Sequence, residues 1–177
     1  MNKMILCVDD KHGIGKDGSI PWHSTEDFKH FKAETVGQKV LMGYKTWESL
    51  PRKPLPDRLN IVVTSRTVSD DIINKHKDVI FIHKNSLSEF LRYNDGIVVI
   101  GGASIYEAAL PFVDEIILSQ ISGDFNCDTF FNVYANDEHI FMPHNAKVLD
   151  DGVSVFYMHR VDEVPPMQTN EFMWRFN

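Results

Sequence analysis

Asp27 is the residue in this chain whose surroundings most suggest chemistry. Asp27, Phe31 and Thr35 are spaced four apart, so on a helix they share one face, and Pro21-Trp22 stands just upstream. A carboxylate flanked by Trp22, Phe28 and Phe31 is partly desolvated. It is kept in such surroundings chiefly when it has a ligand to pair with or a proton to handle. The plainer alternative makes Asp27 a first-turn acid that favours the helix dipole and Phe31 an ordinary core residue. Two glycine corners offer a second kind of chemistry. Ile97-Val98-Val99-Ile100 runs straight into Gly101-Gly102-Ala103-Ser104, and Met42-Gly43-Tyr44-Lys45-Thr46 repeats the order strand, glycine, helix. Such corners bring backbone N–H groups to a phosphate with a helix dipole behind them, although each could equally be a tight turn without a ligand. Together they suggest a dinucleotide held across the C-terminal edge of a sheet. A third run, Gly13-Ile14-Gly15-Lys16-Asp17-Gly18, has the Gly-x-Gly-x-x-Gly spacing but leads into Ser19-Ile20-Pro21-Trp22, which is extended before Pro21 rather than helical. It reads as a flexible glycine loop, able to serve as a lid.

The elements that must position these groups are legible as short Val/Ile-rich runs at 4–8, 39–42, 59–64, 79–83, 97–100, 115–121 and 153–161. These are predicted strands. The runs at 61–63 and 97–100 are apolar at successive positions, which suits a sheet covered on both faces. Ser24 stands three residues before Asp27, and Ser86 with Glu89 forms a Ser-x-x-Glu capping box, so helices are expected to begin near Thr25 and Leu87. Two more are expected at 44–50 and 104–110, the second stopped by Pro111. The segment 50–57 holds three prolines and reads as a stiff loop. The class is α/β.

Length and composition bound the rest. The chain has 177 residues, near one domain at roughly 150 residues each, and 43% hydrophobic residues with 12 Phe give it enough apolar surface to fold. Its formal charge of −7 argues against a phosphate-backbone partner, so no nucleic acid is expected. Cys7 and Cys127 form no Cys-x-x-Cys pair, so neither a disulfide framework nor zinc is indicated and a cytoplasmic setting is expected. The eight histidines show no metal spacing. The apolar run at 4–8 is too short for a signal peptide and is followed by Asp9 and Asp10, and the stretch 97–118 is broken by Gly101, Gly102, Glu107, Pro111 and Asp114, so no membrane span is expected.

Taken in order, Ile14-Gly15, Ile20-Pro21-Trp22, Asp27, Phe31, Thr35, Met42-Gly43, Thr46-Trp47-Glu48-Ser49, Pro54-Leu55-Pro56 with Arg58, Asn60-Ile61, Ile100-Gly101-Gly102, Tyr106-Glu107 and Leu110-Pro111 resemble dihydrofolate reductase over about residues 4 to 131. The resemblance implies an eight-stranded, mostly parallel mixed sheet flanked by about four helices. It also implies NADPH-dependent reduction of 7,8-dihydrofolate to 5,6,7,8-tetrahydrofolate, in support of one-carbon and thymidylate metabolism. The implied domain is 1–162, followed by a C-terminal extension 163–177 whose Phe172, Met173, Trp174 and Phe176 are expected to be buried on this chain or another. A sister class that reduces a ribosylaminopyrimidine and a non-catalytic folate binder are the rival readings. Pro21-Trp22 ahead of Asp27, and Arg58, speak for the reductase.

Roles carried over by the resemblance place Asp27, Trp22 and Ile20 at the catalytic centre. Ile5, Cys7, Phe28, Phe31, Leu50, Leu55 and Ile100 line the substrate pocket with Asp27, Arg58 takes the substrate's α-carboxylate, and Ser119 stands where a threonine usually bonds the acid. The cofactor falls to Cys7, to Ile14, Gly15, Gly18, Ser19 and Ile20 of the lid, and to Gly43, Tyr44, Lys45 and Thr46. Thr64, Ser65 and Arg66, and then Gly101, Gly102, Ala103, Ser104, Ile105 and Tyr106, complete its site. Asp128 resembles the acid that holds the lid, and Gly101-Gly102 the family's cis peptide. Two departures matter: Asp57 replaces the usual glycine beside Arg58, and Tyr44 replaces an arginine that many members use for cofactor phosphates. The expected partners are dihydrofolate and antifolate-type inhibitors, bound by a monomer.

Overall fold

A computed structural model describes residues 1–76, 78–135 and 138–161. The proposed extension 163–177, with its four large apolar residues, lies outside the described residues. The elements run β1 (Lys3–Val8), β2 (Gly13–Gly15), α1 (Thr25–Thr35), β3 (Lys39–Gly43), α2 (Tyr44–Ser49), β4 (Leu59–Thr64), α3 (Asp70–Lys75), β5 (Val79–His83), α4 (Leu87–Tyr93), β6 (Ile97–Gly101), α5 (Ala103–Ala109), β7 (Glu115–Gln120), β8 (Thr129–Phe130), β9 (Ile140–Val148) and β10 (Ser154–Val161). Eight strands make one sheet in the order β5-β4-β3-β6-β1-β7-β10-β9, while β2 and β8 pair separately. The six strands from β5 to β7 are parallel, and β10 runs antiparallel to both β7 and β9. No helix among the described residues is long and apolar enough to cross a membrane.

The continuous apolar runs follow from cover on both faces. In β1, Met4, Leu6 and Val8 point into a core shared with Leu41, Ile61, Val99 and Leu118, where Leu87 and Leu91 of α4 and Ile105 and Ala109 of α5 pack. Ile5 points the opposite way, to Val98, Ile117 and Val155, with Phe31 of α1 against them. Further along that second face, Trp47 of α2 closes over Val40, Met42 and Val62. Alternation therefore sends Cys7 to the same face as Ile5, beneath α1.

All seven predicted runs are strands. Among the described residues five α-helices stand where about four were expected, because α3 buries none of its residues and so leaves no apolar stripe to read. No apolar run marked β9, which the eight strands implied by the resemblance include: it is an edge strand, exposed over much of its length, and carries Pro143, which edges tolerate. Ser86 precedes α4 but makes no capping bond, since residues 84–86 form a 3-10 turn capped instead by the His83 side chain. The glycine run is not merely flexible: Gly13 and Gly15 pair with Phe130 and Thr129.

Candidate active site

The side chains singled out by sequence gather where the parallel strands end. Cys7 and Ser119 are register partners near the ends of β1 and β7, Gly43 ends β3, Thr64 ends β4, and Ile100-Gly101 ends β6. Ligands of open parallel sheets bind at this edge, because adjoining connections diverge there. Asp27 reaches it from the first turn of α1. Ser24 caps that helix by accepting the Asp27 N–H at 2.9 Å, and its own hydroxyl donates to Oδ2 of Asp151 in the turn between β9 and β10. Asp151 is held below the usual carboxylate range chiefly by that hydroxyl.

Asp27 is half-buried. Burial first, and then the Asp27 carboxylate beside it, push the Cys7 thiol far above its ordinary value, so Cys7 is a neutral wall rather than a nucleophile. Burial likewise raises Tyr106, whose hydroxyl donates to the Ile5 carbonyl at 2.8 Å and ties α5 to β1. Ser119 is buried, and its hydroxyl makes no hydrogen bond to Asp27. Trp22 is buried edge-on against Phe125, with ring centroids 5.3 Å apart. Phe31 and Ile100 lie on the Ile5 side of the cleft, and Leu50, Leu55 and Tyr44 pack with Ile100 on the Trp47 side. Phe28 does not join them: it is 45% exposed and leans on His23. Thr35 also turns away, being fully buried with its hydroxyl donating to the Phe31 carbonyl at 2.6 Å.

Arg58 enters from the loop before β4. Its guanidinium stands 5.9 Å from the Phe31 ring centroid, and its Nε is buried without a hydrogen-bond partner. Burial pulls the guanidinium below its usual value against the pull of Asp57. A partly desolvated cation with an unmet donor is suited to an anion. Asp57 itself adopts φ +59, the left-handed region in which glycine is at ease and Asp is tolerated. Asn60 pins this loop from within the sheet. It accepts from Leu55 N–H at 2.9 Å and donates to the carbonyls of Leu55 and Arg58 at 2.9 and 3.0 Å.

The opposite side of the edge fits a dinucleotide diphosphate. Gly43 and Gly102 are the N-caps of α2 and α5, and neither helix start has a side-chain capping bond. A Cβ on Gly43 would crowd Ile105 Cγ1 at 3.0 Å, so that corner is tight, while one on Gly102 would meet Thr46 Oγ1 at 3.4 Å, an ordinary contact that brings the two corners side by side. The first N–H groups of both helices are left for an outside acceptor. Lys45 and Ser104 are exposed at the two starts, with Ala103 half-buried and Ile105 buried behind them. The Gly101–Gly102 peptide is cis. At the end of β4, Thr64 Oγ1 accepts the Arg66 N–H at 3.0 Å, leaving Ser65 and Arg66 exposed.

The lid is anchored at both ends. Asp128 accepts from Asp17 N–H at 2.8 Å, its N–H donates to the Gly15 carbonyl at 3.0 Å, and it is held below the usual range chiefly by the Asp17 N–H. Asp9, only 1% exposed, accepts from the N–H groups of Gly13, Lys11 and Phe125 at 2.8, 2.9 and 3.2 Å. Burial works to raise Asp9, but these donors outweigh it and hold the carboxyl low. Ile14 packs on the core, while Gly18, Ser19 and Ile20 are exposed, Ile20 by 51%. Sequence reading gave no role to Asp9 or Asp151, and quoted Asn60 only as part of the resemblance. Asp9 and Asn60 did carry a signal, as polar residues at the margins of apolar strands, and Asp151 carried none.

An edge of this kind defines a class of α/β enzymes that hold a dinucleotide across diverging strands and a second small molecule against an acid. Within that class, a family model described as dihydrofolate reductase matches residues 1–160, and the chain belongs to the dihydrofolate reductase family. It is 40% identical over 129 residues to the dihydrofolate reductase of Haemophilus influenzae, covering 72% of this chain and 76% of that one. With the Bacillus subtilis enzyme it shares 37% identity over 135 residues, covering 74% and 75%. A solved structure of the Enterococcus faecalis reductase, complexed with NADP(H) and RAB-propyl, superposes with a TM-score of 0.74 at 27% identity, covering 92% of this chain and 97% of that one. The chain is accordingly an oxidoreductase of this family, whose reaction is the NADPH-dependent reduction of 7,8-dihydrofolate to tetrahydrofolate.

Proposed function

We propose that Asp27 carries this reaction in the cleft between α1 and the ends of β1, β6 and β7. The observation that supports it most is the half-buried Asp27 carboxyl beside the inert Cys7 thiol, facing the edge that also carries the two glycine-capped helices. NADPH, when bound, supplies the hydride that goes to C6 of the pterin. Asp27 accepts the paired N–H groups of the pterin's aminopyrimidinone edge and promotes protonation at N5. Ile5, Cys7, Phe31, Leu50, Leu55 and Ile100 exclude water around it, with Phe28 and Ser119 at its margins. Arg58 binds the α-carboxylate of the substrate's glutamate tail, a planar bidentate task that a guanidinium suits.

Trp22 and Ile20 close the reacting end under the lid residues Ile14, Gly15, Gly18 and Ser19. The N–H groups that follow Gly43 and Gly102 hold the diphosphate, helped by Lys45, Thr46 and Ser104, and Thr64, Ser65 and Arg66 hold the 2′-phosphate. Tyr44 packs near the adenosine half, and Gly101, Ala103, Ile105 and Tyr106 shape the corner. The protein works as a cytoplasmic monomer with domain 1–162, and its partners are dihydrofolate and antifolate-type inhibitors. The −7 charge supports the absence of nucleic acid, and the free Cys7 and Cys127 are compatible with a reducing compartment. Loss of nicotinamide absorbance when dihydrofolate is added to protein and NADPH tests the reading. Binding of dihydrofolate without that loss would identify a non-catalytic folate binder instead.

A further inference from the structure

One turn beyond Asp27 on α1 lies His30, whose side chain is only 4% exposed. Its Nδ1 is 3.3 Å from Nζ of Lys147 on β9 and 3.8 Å from Oε1 of Glu34 on its own helix. Its ring meets Tyr157 of β10 edge-on at 6.2 Å. These neighbours are tied to one another as well: the Tyr157 hydroxyl donates to Glu34 Oε1 at 3.0 Å, and Lys147 Nζ lies 5.4 Å from the Tyr157 ring centroid.

The lysine fixes the histidine's chemistry. An ammonium can only donate, so Nδ1 must accept and the ring proton must sit on Nε2. Nε2 is buried and has no hydrogen-bond partner. Burial first and then the Lys147 charge hold His30 below its ordinary range, against Glu34 and Asp27, which keeps the ring neutral near pH 7. The charged and titratable groups facing it are Asp27 and Glu34 from α1, Lys147 from β9 and Tyr157 from β10. Glu34, Lys147 and Tyr157 are engaged with one another around Nδ1. Asp27, three residues back along the same helix, is the remaining charged neighbour of the ring.

We propose that His30 is a positioning residue for Asp27, its Nε2–H, oriented by Lys147, donating through one buried water to the Asp27 carboxylate and holding it aimed into the cleft. This rests on the role assigned to Asp27. A donor to a carboxylate favours its charged form, so losing the donor moves the kinetic pKa upward.

The test compares the full chain with His30→Phe, which keeps a ring and removes both nitrogens, and with His30→Gln, which keeps a side-chain N–H donor. The pH profile of kcat/KM for dihydrofolate is measured with NADPH for all three, and the ¹⁵N signals of His30 are recorded in the unliganded parent. The expected result is a kinetic pKa raised by about half a unit or more in His30→Phe, a profile largely restored in His30→Gln, and an Nε2–H tautomer that persists across neutral pH. Superimposable profiles in parent and His30→Phe overturn the inference, even if the variant melts earlier, because packing alone then accounts for the residue. Equal displacement in both variants, an Nδ1–H tautomer, or an imidazolium at pH 7 overturns it too. A parent that turns over no dihydrofolate contradicts the function reading instead, while the tautomer still decides whether Lys147 orients the ring.

Discussion

Ser24 and Asp151 are joined by a hydrogen bond across 127 residues of chain, so the turn between β9 and β10 holds the capping residue of the helix that presents Asp27. Removing the cap in Ser24→Ala is expected to cost about 1 kcal/mol, which for a domain of this size lowers Tm by roughly 2–4 °C. Activity should fall with it, because Asp27 is a first-turn residue. Asp151 has a folded pKa below its unfolded value of about 3.9, so the stability it adds is present above that value and lost as pH falls below it. Thermal melts from pH 7 to pH 3 should therefore show a shallower acid decline for Asp151→Asn than for the parent.

Asp9 is expected to matter more to stability than any other acid of the lid, since three backbone N–H groups from the segments leading into β2 and β8 converge on it. Its pKa is also held low, so its contribution too is lost as pH falls below about 4. Asp9→Leu leaves those donors unmet, at about 1–3 kcal/mol. Calorimetry should show a Tm lower by several degrees. Hydrogen exchange should show faster exchange at Gly13 and Phe125 than in the parent.

Much of this site was readable because its backbone devices have local signals. Ser24 marks the start of α1, and strand-glycine-helix order marks the corners at Gly43 and Gly102. The devices that were not readable join residues far apart in the chain: Asp151 with Ser24, Asp9 with Phe125, and Lys147 with His30. No periodicity encodes such pairs. Helical spacing likewise gives a face but not which neighbour covers it, and Phe28 stands 45% exposed. The edge strand β9 and the exposed helix α3 lack the buried apolar periodicity on which the other elements were read.

Arg58 offers a buried, unpartnered Nε, and a charge-assisted bond to a carboxylate is worth about 1.5–3 kcal/mol. Arg58→Ala should accordingly raise KM for dihydrofolate about tenfold or more. The same variant should leave KM nearly unchanged for a dihydropterin that lacks the glutamate tail. Equal losses on both substrates would place Arg58 in the general architecture rather than at the tail.

Arg66 is expected to set cofactor choice. It is exposed just past β4, oriented through its N–H bond to Thr64, while Tyr44 contributes no charge. The ratio of kcat/KM for NADPH to that for NADH should fall about tenfold or more in Arg66→Ala. An unchanged ratio would remove Arg66 from the 2′-phosphate site.

The most direct measurement is kcat/KM of Asp27→Asn with NADPH and 7,8-dihydrofolate at pH 7, alongside the Kd for NADPH. The substitution keeps the side chain's shape and its place after the Ser24 cap but removes the ionisable carboxyl. A loss of about 10²-fold or more in kcat/KM with an unchanged NADPH Kd is expected, the scale of a positioned acid–base group. Retention of most of the parent's activity would contradict the assignment of Asp27 as the group that drives protonation of the substrate.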